Sequence, residues 1–373
     1  MPSFKEFTLR SSLLQTLEEK EFTTPTEIQT LALPPLLKGK SVAGVAETGT
    51  GKTLAYALAV LNTLKQLEDD GDSVTEKGLP RAVVLVPSSD LGEQVSRAFK
   101  DFTHHTRIRV RTGLGGTPMA QARRNVDGPF EVLVATPGRL EQLIQRDSLA
   151  LDDVRILVFD EADQMLDAGF LPVINRVLKK SPSDAQLALF TATAADAVQD
   201  LIREKFEDAE ILETAGRHRL VSTLITNNLK VPRGKRFPLL EELLIEGSSR
   251  PTGNEGTLIF TNTKDQCDAL AELLEEAGYD CAIYRGDMDK KERRKNLKEF
   301  REGTTEILIS TDLAARGLDV ENVDRVINYH LPRELKNYLH RAGRTARAGR
   351  EGTVINFVTE RDENLIKRLE SID

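Results

Sequence analysis

Ser41-Val42-Ala43-Gly44-Val45-Ala46-Glu47-Thr48-Gly49-Thr50-Gly51-Lys52-Thr53 reads as a short apolar run, a glycine turn and the opening of a helix. The run at 41–46 is too short for a helix and is closed by turn residues, which predicts a strand. The same unit recurs at 82–87, 132–135, 156–159 and 186–190. Each run is rich in Val, Leu, Ile or Phe and is followed by turn residues and then helical spacing. Such alternation predicts βαβ units on a parallel sheet buried on both faces. A second series follows at 257–260, 281–284, 306–310, 325–329 and 353–358, with helices expected over 264–277 and 290–302. The fold class is therefore α/β, with two parallel-sheet domains in tandem. The polar stretch 213–220, Glu-Thr-Ala-Gly-Arg-His-Arg-Leu, has no apolar period and is taken as the linker. The expected domains are 1–212 and 221–373. Residues 69–80 and 247–256 read as surface loops.

Composition agrees with this plan. The 373 residues suit two domains of ordinary size. With 39% hydrophobic and 29% charged residues, the chain can bury a sizeable core. Lys and Arg number 51 against 59 Asp and Glu, a formal net charge of −8. That balance argues against a basic coat for nucleic acid over the whole surface, but leaves room for a local basic face. No apolar run approaches the ~20 residues of a membrane span, and the N-terminus lacks the apolar core of a secretory signal. The two cysteines, Cys267 and Cys281, suit a reduced cytoplasmic protein and cannot by themselves make a structural zinc site.

Two stretches carry chemistry. Residues 46–53 resemble a phosphate-binding loop. Gly49 and Gly51 let the backbone N–H groups face a phosphate, and the following helix adds its positive end. Lys52 would reach the β- and γ-phosphates and Thr53 would hold Mg²⁺. The strict pattern begins with Gly, where this chain has Ala46; a plain glycine turn is the bland alternative. Ile156-Leu157-Val158-Phe159-Asp160-Glu161-Ala162-Asp163 drives carboxylates to the C-terminal edge of a strand, where parallel sheets bind ligands. Asp160 would complete the Mg²⁺ shell and Glu161 would orient and deprotonate the attacking water. An acidic helix cap is the bland alternative.

With these two motifs together, the chain resembles the DEAD-box family of RNA-dependent ATPases and helicases over essentially its whole length. The resemblance implies two RecA-like domains, with ATP and Mg²⁺ as cofactors and RNA as partner. Phe22-Thr23-Thr24-Pro25-Thr26-Glu27-Ile28-Gln29, with Phe4 upstream, is similar to the family's Q motif. It implies adenine recognition by Phe22, Thr24 and Gln29, beside Ala46, Glu47, Thr48, Gly49, Thr50, Gly51, Lys52 and Thr53. Gly115-Gly116 and Thr136-Pro137-Gly138-Arg139 resemble RNA-backbone contacts, with Gly116, Pro137, Gly138 and Arg139 as the contact residues. Thr191-Ala192-Thr193 stands where the family has Ser-Ala-Thr and implies coupling of hydrolysis to RNA separation. In the second domain, residues 258–263 resemble motif IV and residues 310–319 motif V. By the same likeness Thr311 and Arg316 lie near RNA and Asp319 near the ribose. Residues 340–350, His-Arg-Ala-Gly-Arg-Thr-Ala-Arg-Ala-Gly-Arg, resemble motif VI. The catalytic set so implied is Lys52, Asp160, Glu161, Asp163, Arg344 and Arg347, with the two arginines stabilising charge on the transferring phosphoryl group.

Three departures stand out. The motif Ia arginine is Ser89. The family's Gln-x-x-Arg pair is Lys290-x-x-Arg293, with Arg293 kept as an RNA contact. Ala346 stands where motif VI has Gly. The ATP machinery is thus complete in sequence, while part of the RNA grip is altered. Three readings follow: an RNA helicase or remodeller that separates short duplexes locally, an ATP-gated RNA clamp, and a DNA translocase of the same superfamily. The Q motif and the Asp-Glu-Ala-Asp form favour RNA. RNA held by its backbone implies low sequence specificity, and a monomeric protein is expected.

Overall fold

The computed structural model describes residues 3–47, 49–214, 224–232, 235–247, 256–312, 323–346 and 351–370. It divides into two compact units, Met1–Arg217 and His218–Asp373. The expected site residues Thr48, Arg316, Asp319 and Arg347, most of the expected linker and most of the expected loop 247–256 lie outside the described residues.

The first unit carries seven strands: β1 Val42–Val45, β2 Ala82–Leu85, β3 Val110–Gly113, β4 Val132–Ala135, β5 Ile156–Phe159, β6 Gln186–Thr191 and β7 Glu210–Glu213. They form one parallel sheet in the order β3-β4-β2-β5-β6-β1-β7. The inner strands are continuous apolar runs because both faces are covered. Alternate residues serve two separate cores: Val42, Val84, Val132 and Val158 face one, and Ala43, Leu85, Leu133 and Phe159 the other.

The second unit carries β8 Leu224–Lys230, β9 Gly256–Thr261, β10 Cys281–Tyr284, β11 Ile307–Thr311, β12 Val323–Asn328 and β13 Gly352–Val358. Their order is β10-β11-β9-β12-β13-β8, again all parallel. The helices Lys264–Glu276 and Lys290–Arg301 fall where helical spacing places them.

Three strands are absent from the sequence reading: β3, β7 and β8. Two of them end the first sheet and one ends the second. An edge strand is covered on fewer sides, so its apolar signal is diluted. In β7 Ile211 stays 61% exposed, and in β8 Ile225 is 52% exposed and Asn227 and Asn228 interrupt the run.

Strand order sorts the motifs. β5, β6 and β1 are neighbours, so their carboxyl ends bring Asp160 and Glu161, residues 191–193 and residues 46–53 side by side. The adjoining block β3, β4 and β2 ends in residues 114–116, 136–139 and 87–89.

Candidate nucleotide and RNA site

In the phosphate loop, Gly51 has φ +89°, a left-handed conformation that an L side chain rarely adopts. A Cβ there would also lie 2.4 Å from Gln29 Nε2. That close approach lets the Gln29 amide donate to the Gly51 carbonyl at 3.0 Å, while its Oε1 accepts from Thr26 N at 2.9 Å. The buried Gln29 amide is thereby locked to the loop it is expected to serve. Phe22 is exposed and stacks on Phe102 with centroids 6.3 Å apart, and Thr24 is exposed. Phe4 packs in the core against Phe7.

Lys52 begins the helix Lys52–Asp69 and is buried, with its ammonium donating to the Ala46 carbonyl at 2.7 Å. The same loop is closed by Thr50 Oγ1 donating to the Glu47 carbonyl at 2.7 Å. Burial pushes the Glu47 carboxyl above its ordinary range, and Lys52 opposes the shift.

Asp160 is fully buried at the end of β5. Its Oδ1 accepts from Glu161 N at 3.0 Å and its Oδ2 from the Tyr56 hydroxyl at 2.8 Å. Burial raises its pKa, while Lys52, the Tyr56 hydrogen bond and the Glu161 N–H oppose the rise. Glu161 takes φ +50°, a costly conformation for a side chain of its size. It caps the helix Ala162–Asp167 from this position, and its carboxylate accepts from Gln164 Nε2. Asp163 Oδ2 accepts from Thr193 Oγ1 at 2.8 Å, and Thr191 Oγ1 donates to the Thr193 carbonyl at 2.9 Å. Ala46 N in turn donates to the Thr191 carbonyl at 3.0 Å. Three separate sequence motifs thus form one hydrogen-bonded chain. Thr53 and Asp160 offer a hydroxyl and a carboxylate, the hard oxygen donors that Mg²⁺ prefers.

On the neighbouring strands, Ser89 Oγ donates to the Gly115 carbonyl at 2.9 Å, and Gly115 N donates to Thr136 Oγ1 at 3.1 Å. The residue in place of arginine is therefore tied into the Gly115-Gly116 turn, where Gly116 has φ +73°. Pro137 starts the helix Pro137–Gln145, and a Cβ on Gly138 would meet open space. Arg139 donates to the Thr117 carbonyl at 2.5 Å.

The second unit is organised by a residue not in the predicted set. Arg341 is 1% exposed. Its guanidinium donates to both oxygens of Asp312, at 2.5 and 2.9 Å, to Asn328 Oδ1 at 2.9 Å, to the His330 carbonyl at 2.6 Å and to Asn262 Oδ1 at 2.8 Å. It also lies 4.9 Å from the Phe260 ring centroid. Motifs IV, V and VI therefore meet on one cation. Behind it, Asn328 Nδ2 donates to Asn356 Oδ1 and Asn356 Nδ2 to Asn228 Oδ1, each at 2.8 Å, a ladder across β12, β13 and β8. Arg344 is buried and donates to the His340 carbonyl at 3.1 Å. Thr311 ends β11, half-buried. Arg293 lies 5.6 Å from the Tyr284 ring centroid. Arg341 lies within the motif VI stretch 340–350, but nothing in that stretch distinguishes it from the neighbouring Arg344. Tyr56 and Gln164 carry no sequence cue at all.

The family model for DEAD/DEAH box helicases matches residues 26–201, and the model for the helicase conserved C-terminal domain matches residues 235–349. The chain is 34% identical over 372 residues to an ATP-dependent rRNA helicase, RRP3, of Eremothecium gossypii, covering 99% of this chain and 74% of the relative. It is 34% identical over 370 residues to the DEAD-box ATP-dependent RNA helicase CshA of Bacillus cereus, covering 99% and 68%. Among solved structures, S. cerevisiae Dbp5 bound to RNA and ADP BeF3 matches with a TM-score of 0.87 at 31% identity, over 100% of this chain and 93% of the other.

Proposed function

This chain belongs to the DEAD-box family of ATP-dependent RNA helicases, and from that premise we propose how its own residues carry the cycle. It is an RNA-dependent ATPase that couples ATP hydrolysis to work on RNA. The observation that carries the residue-level reading is the adjacency of β5, β6 and β1, which collects the phosphate loop, the carboxylates and residues 191–193 at one sheet edge.

In this reading residues 1–212 are the ATP-binding domain, 213–220 the linker and 221–373 the C-terminal helicase domain. Phe22, Thr24 and Gln29 select adenine. Gln29 can do so from a fixed position because the Gly51 carbonyl and the Thr26 N–H hold its amide. The 46–53 backbone and Lys52 hold the phosphates at the helix N-terminus. Thr53 and Asp160 would hold Mg²⁺, which would supply charge neutralisation to the phosphates. Glu161 takes the proton of the attacking water. Arg344 and Arg347 stabilise charge on the phosphoryl group, and Asp319 holds the ribose.

RNA is held by its backbone at Gly116, Pro137, Gly138, Arg139, Arg293, Thr311 and Arg316, which gives low sequence specificity. Loss of the γ-phosphate is relayed from Asp163 to Thr193 and Thr191, and the hydrogen bonds between them support that route. The product of the cycle is local separation of short duplexes. The two free cysteines suit a reducing cytoplasm, and the chain acts as a monomer. Among the described residues no helix is long and apolar enough to cross a membrane.

Glu161→Gln tests the assignment. The amide cannot accept the proton, so RNA-stimulated hydrolysis should fall by at least ~10²-fold while ATP and RNA still bind. Near-normal turnover would remove Glu161 from its role. Strand displacement by the wild-type chain, measured beside its ATPase, tests the duplex-separation step.

A further inference from the structure

Tyr56 lies in the second turn of the helix that follows the phosphate loop and has no exposed surface. Its ring packs against Phe190 and Phe99, with centroids 5.5 and 6.1 Å away. For that packing alone, phenylalanine would serve as well. A buried phenol must also find a partner for its hydroxyl. Here the partner is a charged group, Asp160 Oδ2, at 2.8 Å. The other oxygen of Asp160 accepts the Glu161 N–H at 3.0 Å. Two donors from two different elements thus grip both oxygens of one buried carboxylate. The backbone donor fixes one oxygen, and the phenol fixes the second and narrows the rotation of the carboxylate about its Cβ–Cγ bond.

We propose that Tyr56 is a positioning residue for the divalent cation: its hydroxyl presets the Asp160 carboxylate so that the cation accompanying the nucleotide meets an already oriented ligand. The proposal rests on the reading of Asp160 as a Mg²⁺-holding group. Hydrogen-bond partners that orient metal ligands are typically worth 10–100-fold in metal affinity, because orientation is otherwise lost each time the metal binds.

The experiment measures binding of a fluorescent ADP to the full chain across a Mg²⁺ titration, starting from EDTA. In Tyr56→Phe the Mg²⁺ concentration for half-maximal enhancement of binding should rise about 10-fold. Metal-free ADP affinity should stay unchanged, which a general loosening of the core would not allow. Tyr56→Leu, which also loses the ring, should show the same Mg²⁺ shift together with a lower unfolding temperature. If the Tyr56→Phe curve superimposes on a Mg²⁺-dependent wild-type curve, the hydroxyl is merely satisfied and the proposal falls. If wild-type binding ignores Mg²⁺, the reading of Asp160 falls with it.

Discussion

In the first unit the buried charges of Lys52, Asp160, Glu161 and Asp163 are spread out, each with its own hydrogen bonds, whereas in the second one guanidinium gathers Asn262, Asp312, Asn328 and the His330 carbonyl. The first arrangement leaves charged groups gripped but available, with strain stored at Glu161. The second uses its charge up inside the protein. Arg341 is a scaffold pin, and the asparagine ladder behind it replaces what would otherwise be apolar core. Buried polar networks of this kind are costly when broken, because each orphaned partner keeps its desolvation penalty.

The largest expected effect on that contrast is at the pin. Arg341→Met leaves Asp312 and two asparagines without their donor and should destabilise the second unit by about 3 kcal/mol. Arg341→Lys should recover little, since an ammonium lacks the planar fork that reaches five acceptor atoms on four residues. Hydrogen exchange read separately over the two units checks this. Equal loss of protection in both would break the comparison.

A smaller effect is expected from His330, whose pKa is lowered to about 4 by burial and by the nearby Arg236 and Arg341. It is neutral in the fold and takes up a proton on unfolding below pH ~6.5. Its stabilising contribution is present above that pH and is lost as the pH falls toward 4. After allowance for partial solvent screening this amounts to about 1 kcal/mol. His330→Gln should flatten the stability profile of the second unit in that window, and an unchanged slope would assign the effect to other groups.

Ala346, the residue in place of glycine, has φ +55°. The departure is therefore carried as backbone strain. Ala346→Gly should stabilise the second unit by about 0.5–1 kcal/mol, less than the αL penalty because glycine is freer when unfolded. Urea midpoints at constant slope measure it, and a loss of stability would contradict the strain reading.

The smallest effect is at Ser89. An arginine there gives up the bond to Gly115 and adds one cation beside the 115–116 turn. Ser89→Arg should steepen the salt dependence of single-stranded RNA binding by ~0.7 in log–log slope and leave the preference for ATP over GTP unchanged. An unaltered slope would show that another cation already serves that phosphate.

Much of this molecule is legible without coordinates. Parallel strands buried on both faces must be short apolar runs, so the inner strands β1, β2, β4, β5, β6, β9, β11, β12 and β13 declare themselves. The phosphate loop is contiguous, because one turn and one helix end suffice to hold a phosphate. The edge strands β3, β7 and β8 escape notice because exposed residues break their apolar runs, whereas β10, also an edge, keeps Cys-Ala-Ile-Tyr and is legible. Strand order is equally invisible in the chain, yet it alone sets residues 46–53, 160–163 and 191–193 side by side. The partners of buried polar groups are decided last and only in three dimensions. Tyr56 stands 104 positions from Asp160 and Arg341 stands 79 from Asn262. Nothing local distinguishes Tyr56 from an ordinary core tyrosine, and the motif that contains Arg341 does not say which of its arginines are buried. What selects their partners is the cost of leaving a hydroxyl or a guanidinium unsatisfied once the sheets have closed over it.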